Sequence, residues 1–155
     1  MELHIKKYDE LTVDELYDLL RARSEVFVVE QDCVYQDLDN KDKVAYHVWL
    51  SDEAGIAAYL RVLPAGVSYD EPSVGRVISL RRRQGLGSIV LAEGLRVARE
   101  KFGAKAVRIS AQEYARPFYE QGGFVKVSDS YLEDGIPHIQ MLATLPNLAQ
   151  NKSQF

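Results

Sequence analysis

Val74-Gly-Arg-Val-Ile-Ser-Leu80-Arg-Arg-Arg-Gln-Gly85-Leu-Gly-Ser88 joins a strand-like run directly to a long helical one. Val74 to Leu80 reads as a strand. Leu86, Ile89, Val90, Leu95, Val97 and Ala98 then supply the apolar surface of a helix that ends near Phe102-Gly103. Glycines at 85 and 87 permit positive φ and close backbone approach, so successive N–H groups at the helix N-terminus can converge on phosphate oxygens. Arg81, Arg82 and Arg83 add positive charge where the helix dipole already favours an anion. The element fits a phosphate-bearing ligand, and the same residues also fit a structural Gly-rich turn flanked by solvated arginines. Other phosphate motifs fit worse. The Walker pattern needs Gly-Lys-Ser/Thr, and the dinucleotide fingerprint needs a third glycine where Val90 stands.

Working outward, Leu3 to Lys7 predicts a short first strand, and Thr12-x-x-Glu15 is a capping box that opens a helix. Leu16, Leu19, Leu20, Val26 and Phe27 recur near helical spacing, while Val26 to Val29 fits equally a turn out of the helix. Glu30 to Lys43, polar and carrying four aspartates, predicts a long surface loop. Val44 to Leu50 and Ile56 to Leu63 form a hairpin around Ser51-Asp-Glu-Ala-Gly55. Downstream come a strand at Ala106 to Ser110, a helix from about Tyr114 to Gln121 ended by Gly122-Gly123, and strands at Phe124 to Ser128 and Ile136 to Leu145. This order mixes hairpins with crossover units, which predicts one α/β (α+β) domain over residues 1–145, a mixed sheet with helices on both faces, and a polar tail over 146–155.

Composition agrees with a single domain: 155 residues, 46% apolar and 27% charged, are enough to bury roughly 70% of the unfolded surface. The lone Cys33 makes no intramolecular disulfide, the N-terminus lacks a secretory pattern, and no apolar run nears the ~20 residues of a membrane span, so the expected compartment is the cytoplasm. A net charge of −4 argues against nucleic-acid binding. The charge is unevenly spread, with 13 acidic and 4 basic residues between Asp9 and Glu53 and 3 acidic and 10 basic between Gly75 and Arg116. Two differently charged sides would suit an anionic and a cationic ligand, unless these are only segregated solvated faces. Asp32, Asp37, Asp39 and Asp42 lack the glycine and closing Glu of a calcium loop, so no metal is expected.

Against this background, Arg82-Arg-Gln-Gly-Leu-Gly87 in its strand-to-helix context resembles the pyrophosphate-cradling motif of the GNAT superfamily, the acetyl-CoA-dependent N-acetyltransferases. Arg108 to Phe124, with Phe118-Tyr119 and Gly123-Phe124, looks like the strand–helix segment of the same superfamily. More narrowly, Arg23-x-x-Val26-Phe-Val-Val-Glu30-Gln31-x-Cys33-x-Tyr35-x-Asp37-x-Asp39 and Glu133-Asp-Gly-Ile-Pro-His138-Ile139 are similar to the ElaA-like subfamily, so the resemblance covers nearly the whole chain. It implies a central sheet of about six to seven strands splayed between the fourth and fifth, with the thioester in the splay.

The resemblance also implies residue roles. Val77 and Ile78 would offer backbone groups to the pantetheine arm and the acetyl carbonyl. Gln84, Gly85, Leu86, Gly87 and Ser88 would surround the pyrophosphate, with Arg82 and Arg83 as side-chain partners and Arg81 the weakest claimant of the three. Gln112 stands near the cofactor, where the superfamily often has Asn. Tyr119 would protonate the departing CoA thiolate, unless its ring only packs beside Phe118. Glu30 and His138 are the candidates to deprotonate the amine, against structural roles as a loop brace and a hydrogen-bonded strand histidine, and His47 ranks below them. Cys33 has no identifiable paired base and reads as a loop residue. The implied reaction moves acetyl from acetyl-CoA, the co-substrate, to a small or protein-borne primary amine by direct attack in a ternary complex, without metal, and the acidic loop would attract that amine. A non-catalytic acyl-CoA-binding or sensing module is the alternative, and a homodimer is left open, since no exposed apolar stripe names an interface.

Overall fold

The computed structural model describes residues 1–32, 35–81 and 84–146. Strands β1 (Glu2–Lys7), β2 (Tyr46–Asp52), β3 (Gly55–Leu63) and β4 (Ser73–Ser79) pair antiparallel in that order. A second sheet has β8 (Ile136–Thr144) at its centre, flanked by β5 (Ala106–Gln112), β6 (Phe124–Lys126) and β7 (Tyr131–Glu133). Among the described residues the α-helices are α1 (Val13–Arg23), α2 (Leu86–Phe102) and α3 (Arg116–Gln121).

The expected fold class holds, with eight strands among the described residues against the six to seven anticipated. The added strand is β7. Asp134 and Gly135, both at positive φ (51° and 76°), close a two-residue turn that returns Tyr131–Glu133 onto β8. Other boundaries moved where local turns intervened. Val44 belongs to a 3₁₀ turn (Lys41–Val44), so β2 begins at Tyr46, and the helix expected from Tyr114 splits into a 3₁₀ turn (Glu113–Ala115) and α3, with Pro117 in its first turn.

Helices cover both faces of the first sheet, as alternation along the strands requires. Val48, Leu50, Leu60 and Val62 pack with Val90, Leu91, Val97 and Ala98 of α2, and this core continues into Val107, Ile109, Ile139 and Met141 of the second sheet. Trp49, Tyr59 and Ile78 join Leu19, Ala22 and Val26 on the α1 side. β3 is buried throughout Ala57–Leu63, the pattern of a central strand covered on both faces.

α1 begins with the capping box foreseen: Thr12 Oγ accepts from the Glu15 N–H at 3.1 Å, and Glu15 Oε1 accepts from the Thr12 N–H at 2.9 Å. It does not stop at Arg23 but widens into a π-helical turn, Ser24–Glu30, whose β-branched Val26, Val28 and Val29 suit a tight α-turn poorly.

Arg23 is fully buried and is held by the loop that follows: Nη1 donates to Asp42 Oδ1 at 2.7 Å and Nε to Asp37 Oδ2 at 3.2 Å. Arg61 donates to Asp39 Oδ1 and Oδ2 at 2.8 and 2.6 Å and to Asp42 Oδ1 at 3.0 Å. Arg76 sits 2.8 Å from Asp37 Oδ1 and donates to the Asp37 carbonyl at 3.0 Å. Three arginines from α1, β3 and β4 thus neutralise Asp37, Asp39 and Asp42. This corrects the expectation that the acidic loop draws in a cationic amine: three of its four aspartates are consumed in fastening the loop to the core.

His47, buried on β2, is part of the same brace, sharing 2.7 Å with the Tyr59 hydroxyl through Nδ1 and 3.0 Å with the Asp42 carbonyl through Nε2. Burial pushes its imidazole below the usual histidine range.

Candidate active site

β4 and β5 share no ladder. The Arg108 N–H donates to the Pro72 carbonyl at 3.1 Å at one end of the two strands; beyond it, Val74–Ser79 and Ile109–Gln112 part to line a cleft of about 330 Å³. This is the splay expected between the fourth and fifth strands.

One wall of the cleft is an irregular strand. Ile78 lies opposite Tyr59 and Gly75 opposite Arg61, so Arg76 and Val77 together face the single residue Leu60. Such a bulge leaves a residue outside the ladder, and Arg76 takes φ +52°, rare for a side chain of its size. Its backbone is held there by a guanidinium tied to Asp37. Val77 and Ile78, both named from sequence, line the cleft at this bulge, where unladdered backbone groups are available to a ligand carbonyl.

The end of the cleft is built from the start of α2. Gly85 adopts the left-handed conformation (φ +69°) as its N-cap, and among the described residues no side chain caps this end and no acid stands in its first turn. The leading N–H groups, those of Leu86, Gly87 and Ser88, are the ones that an α-helix leaves without internal partners. Gly87 lines the cleft itself, with the Phe118 ring 3.4 Å from where a Cβ would stand. Gln84 and Ser88 are exposed beside it. Arg82 and Arg83 lie outside the described residues, as does Cys33. Arg81 is taken up by Asp52, donating from Nη2 at 2.9 Å and from Nε at 3.2 Å.

Across from the bulge, Tyr119 on α3 reaches the cleft. Its ring meets Phe118 and Phe124 edge-on at 5.0 and 5.7 Å, and among the described residues its hydroxyl has no hydrogen-bond partner. Burial, followed by the neighbouring Tyr114, pushes the phenol above the usual tyrosine range, so it keeps its proton. Gln112, at the end of β5, donates from Nε2 to Gln31 Oε1 at 3.3 Å, linking the second sheet to the π-helical turn.

His138 also lines the cleft and is 7% exposed. Its Nδ1 lies 2.7 Å from the Ile136 carbonyl, an acceptor only, so Nδ1 carries a hydrogen; Nε2 faces Glu133 Oε2 at 3.3 Å. Glu30 is not gathered with Tyr119 and His138: it is exposed at the end of the π-helical turn, and lines a neighbouring depression with Ser79 and Arg81.

Sequence reasoning assigned no role to Glu133, Ser110 or Tyr131. Ser110 Oγ donates to Glu133 Oε1 at 3.2 Å and shares 2.6 Å with the Tyr131 hydroxyl, and Tyr131 stacks on His138 at 6.3 Å. The Asp134-Gly135 turn signal could have found them, because a two-residue hairpin sets Tyr131 opposite His138.

Comparison with known proteins gives one answer. The family description "Acetyltransferase (GNAT) domain" matches residues 9–145. Protein ElaA of Escherichia coli is 38% identical over 140 residues, covering 86% of this chain and 90% of ElaA, and a UPF0039 protein of Schizosaccharomyces pombe is 39% identical over 145 residues, covering 91% and 95%. Among solved structures, an acyl-CoA N-acyltransferase from Pseudomonas aeruginosa superposes with a TM-score of 0.86 at 38% identity, over 93% of this chain and all of that one. The E. coli ElaA crystal structure does so at 0.85 and 34%, over 92% and 98%. The splayed sheets, the bulged strand and the uncapped helix thus sit in a chain that belongs to the GNAT acetyltransferase family, an acyltransferase related to ElaA.

Proposed function

We propose that the protein transfers the acetyl group of acetyl-CoA to a primary amine by direct attack within a ternary complex. The observation that carries this reading is the cleft itself, which has an unladdered backbone on β4, a protonated phenol on α3 and an uncapped helix N-terminus opening into the same space.

The pyrophosphate rests on the N–H groups of Gln84 to Ser88, with Arg82 and Arg83 as side-chain partners. The helix end favours an anion there, and among the described residues no acid stands in its first turn. The pantetheine arm follows β4, and the acetyl carbonyl accepts from the backbone at Val77 and Ile78, which stabilises the oxyanion of the tetrahedral intermediate. Gln112 faces the same cofactor from β5.

An acceptor that arrives as an ammonium first loses one proton, and His138, in the cleft with Nδ1 committed to the Ile136 carbonyl, takes it at Nε2. The neutral amine attacks the thioester carbon, the C–S bond breaks, and Tyr119 gives its proton to the sulfur. The second proton of the nitrogen returns to Tyr119, and the first leaves from His138 to solvent. Glu30, outside this cleft, takes no part in these transfers.

Calorimetric titration with acetyl-CoA tests the cradle. Ser88→Asp places a carboxylate in the first turn of α2, where it suits the helix dipole and repels a phosphate, so the melting temperature should hold or rise while affinity falls about tenfold or more. Equal affinity in the variant and the wild-type protein would remove the pyrophosphate from this helix end.

A further inference from the structure

The charged side chains that line the cleft among the described residues are Arg76, Glu133 and Asp134, with His138 beside them. Arg76 is already matched, by Asp37 at 2.8 Å and Asp39 at 3.4 Å. Glu133 faces His138 Nε2 at 3.3 Å, an ion pair only while the imidazole is protonated, and Asp134 has no ion-pair partner among the described residues. The hairpin end of the cleft is therefore left negative, opposite a helix end that attracts anions. Asp37, Asp39 and Asp42 of the acidic loop face arginines instead.

Glu133 is also held in place. Its side chain is half exposed, yet Oε1 accepts from Ser110 at 3.2 Å, so one oxygen is fixed from β5 while the rest meets solvent in the cleft. A carboxylate fixed in this way needs a cation. It gains little by holding the nitrogen that reacts, since it would stabilise the protonated, unreactive form. It anchors an acceptor without that cost when it binds a second cationic group away from the reacting nitrogen.

We infer that Glu133 is the specificity-determining residue of the acceptor site, and that the site takes amines bearing a second positive charge over amines bearing a carboxylate. The inference rests on the acyl-transfer reading above and names its substrate class. Ser110 positions the carboxylate.

The test uses two probes of equal length and opposite distal charge, 1,4-diaminobutane and 4-aminobutyrate, titrated into the full chain loaded with coenzyme A and followed through the backbone amide resonances of residues 131–138. The diamine should bind about tenfold more tightly than the amino acid, and Glu133→Gln should weaken the diamine about fivefold while leaving 4-aminobutyrate no weaker and coenzyme A unchanged. Should the variant lose the native hairpin resonances, the wild-type protein decides the matter. Its affinity for the diamine should fall severalfold between about 20 and 300 mM salt, and an affinity indifferent to salt overturns the assignment. Equal affinity for the two probes, or an undiminished diamine affinity in Glu133→Gln, also overturns it. Failure of the wild-type chain to bind coenzyme A would instead strike the acyl-transfer reading.

Discussion

Replacing Asp42 by alanine is expected to destabilise the protein by about 3–5 kcal/mol, enough to lower the melting temperature by roughly 6–20 °C. The reason is the fully buried Arg23, whose Nη1 loses its 2.7 Å partner, together with Arg61, which loses a 3.0 Å one. A buried guanidinium without its counter-ion costs far more than the pair contributed, because the arginine cannot shed its proton. Chemical denaturation of wild type and variant measures the difference. The Arg81–Asp52 pair, only partly buried, is the control, and its loss should matter far less. An Asp42→Ala protein as stable as wild type would show that the loop is not fastened as described.

The same network sets the acid limit of the fold. Burial pushes the Asp39 carboxyl up, but the Arg61 hydrogen bonds and charge outweigh it and hold it at about 2, below its ordinary 3.8. Asp42, under the same opposition of burial and arginine partners, is also lowered. A carboxyl depressed in the folded state binds its proton later than in the unfolded chain. Its contribution is therefore complete above the ordinary value and drains away as pH falls from about 3.8 toward 2.

Tyr119→Phe should lower kcat for acetyl transfer by about 10²–10⁴-fold with little change in acetyl-CoA affinity. The phenylalanine ring retains the edge contacts with Phe118 and Phe124, so the melting temperature should stay near wild type. What disappears is the hydroxyl, the group on α3 that gives its proton to the leaving sulfur. A variant with normal turnover would return Tyr119 to a packing role.

The site's helix end was legible because its chemistry is local: Gly85 supplies its own positive φ, and the strand before it and the helix after it announce themselves by periodicity. The Thr12–Glu15 capping box was legible for the same reason. The fate of the aspartates was not, since their partners come from 14 to 39 residues away in the chain, and counting charge by segment cannot see across that distance. The bulge at Arg76 was equally hidden. Nothing about an arginine in that position asks for φ +52°; the strain persists because Asp37 and Asp39 hold its guanidinium. β7 is the intermediate case, a three-residue strand too short to show alternation, though the Asp134-Gly135 pair marked its turn.

The most direct measurement is thiol release from acetyl-CoA by the wild-type protein with and without 1,4-diaminobutane, with the products weighed by mass spectrometry. Acyl transfer by direct attack should give amine-dependent release of coenzyme A, one N-acetylated amine for each thiol, and no acetyl group on the protein at any time. Thiol release that ignores the amine, or an acetylated form of the protein that forms and decays during turnover, would contradict it.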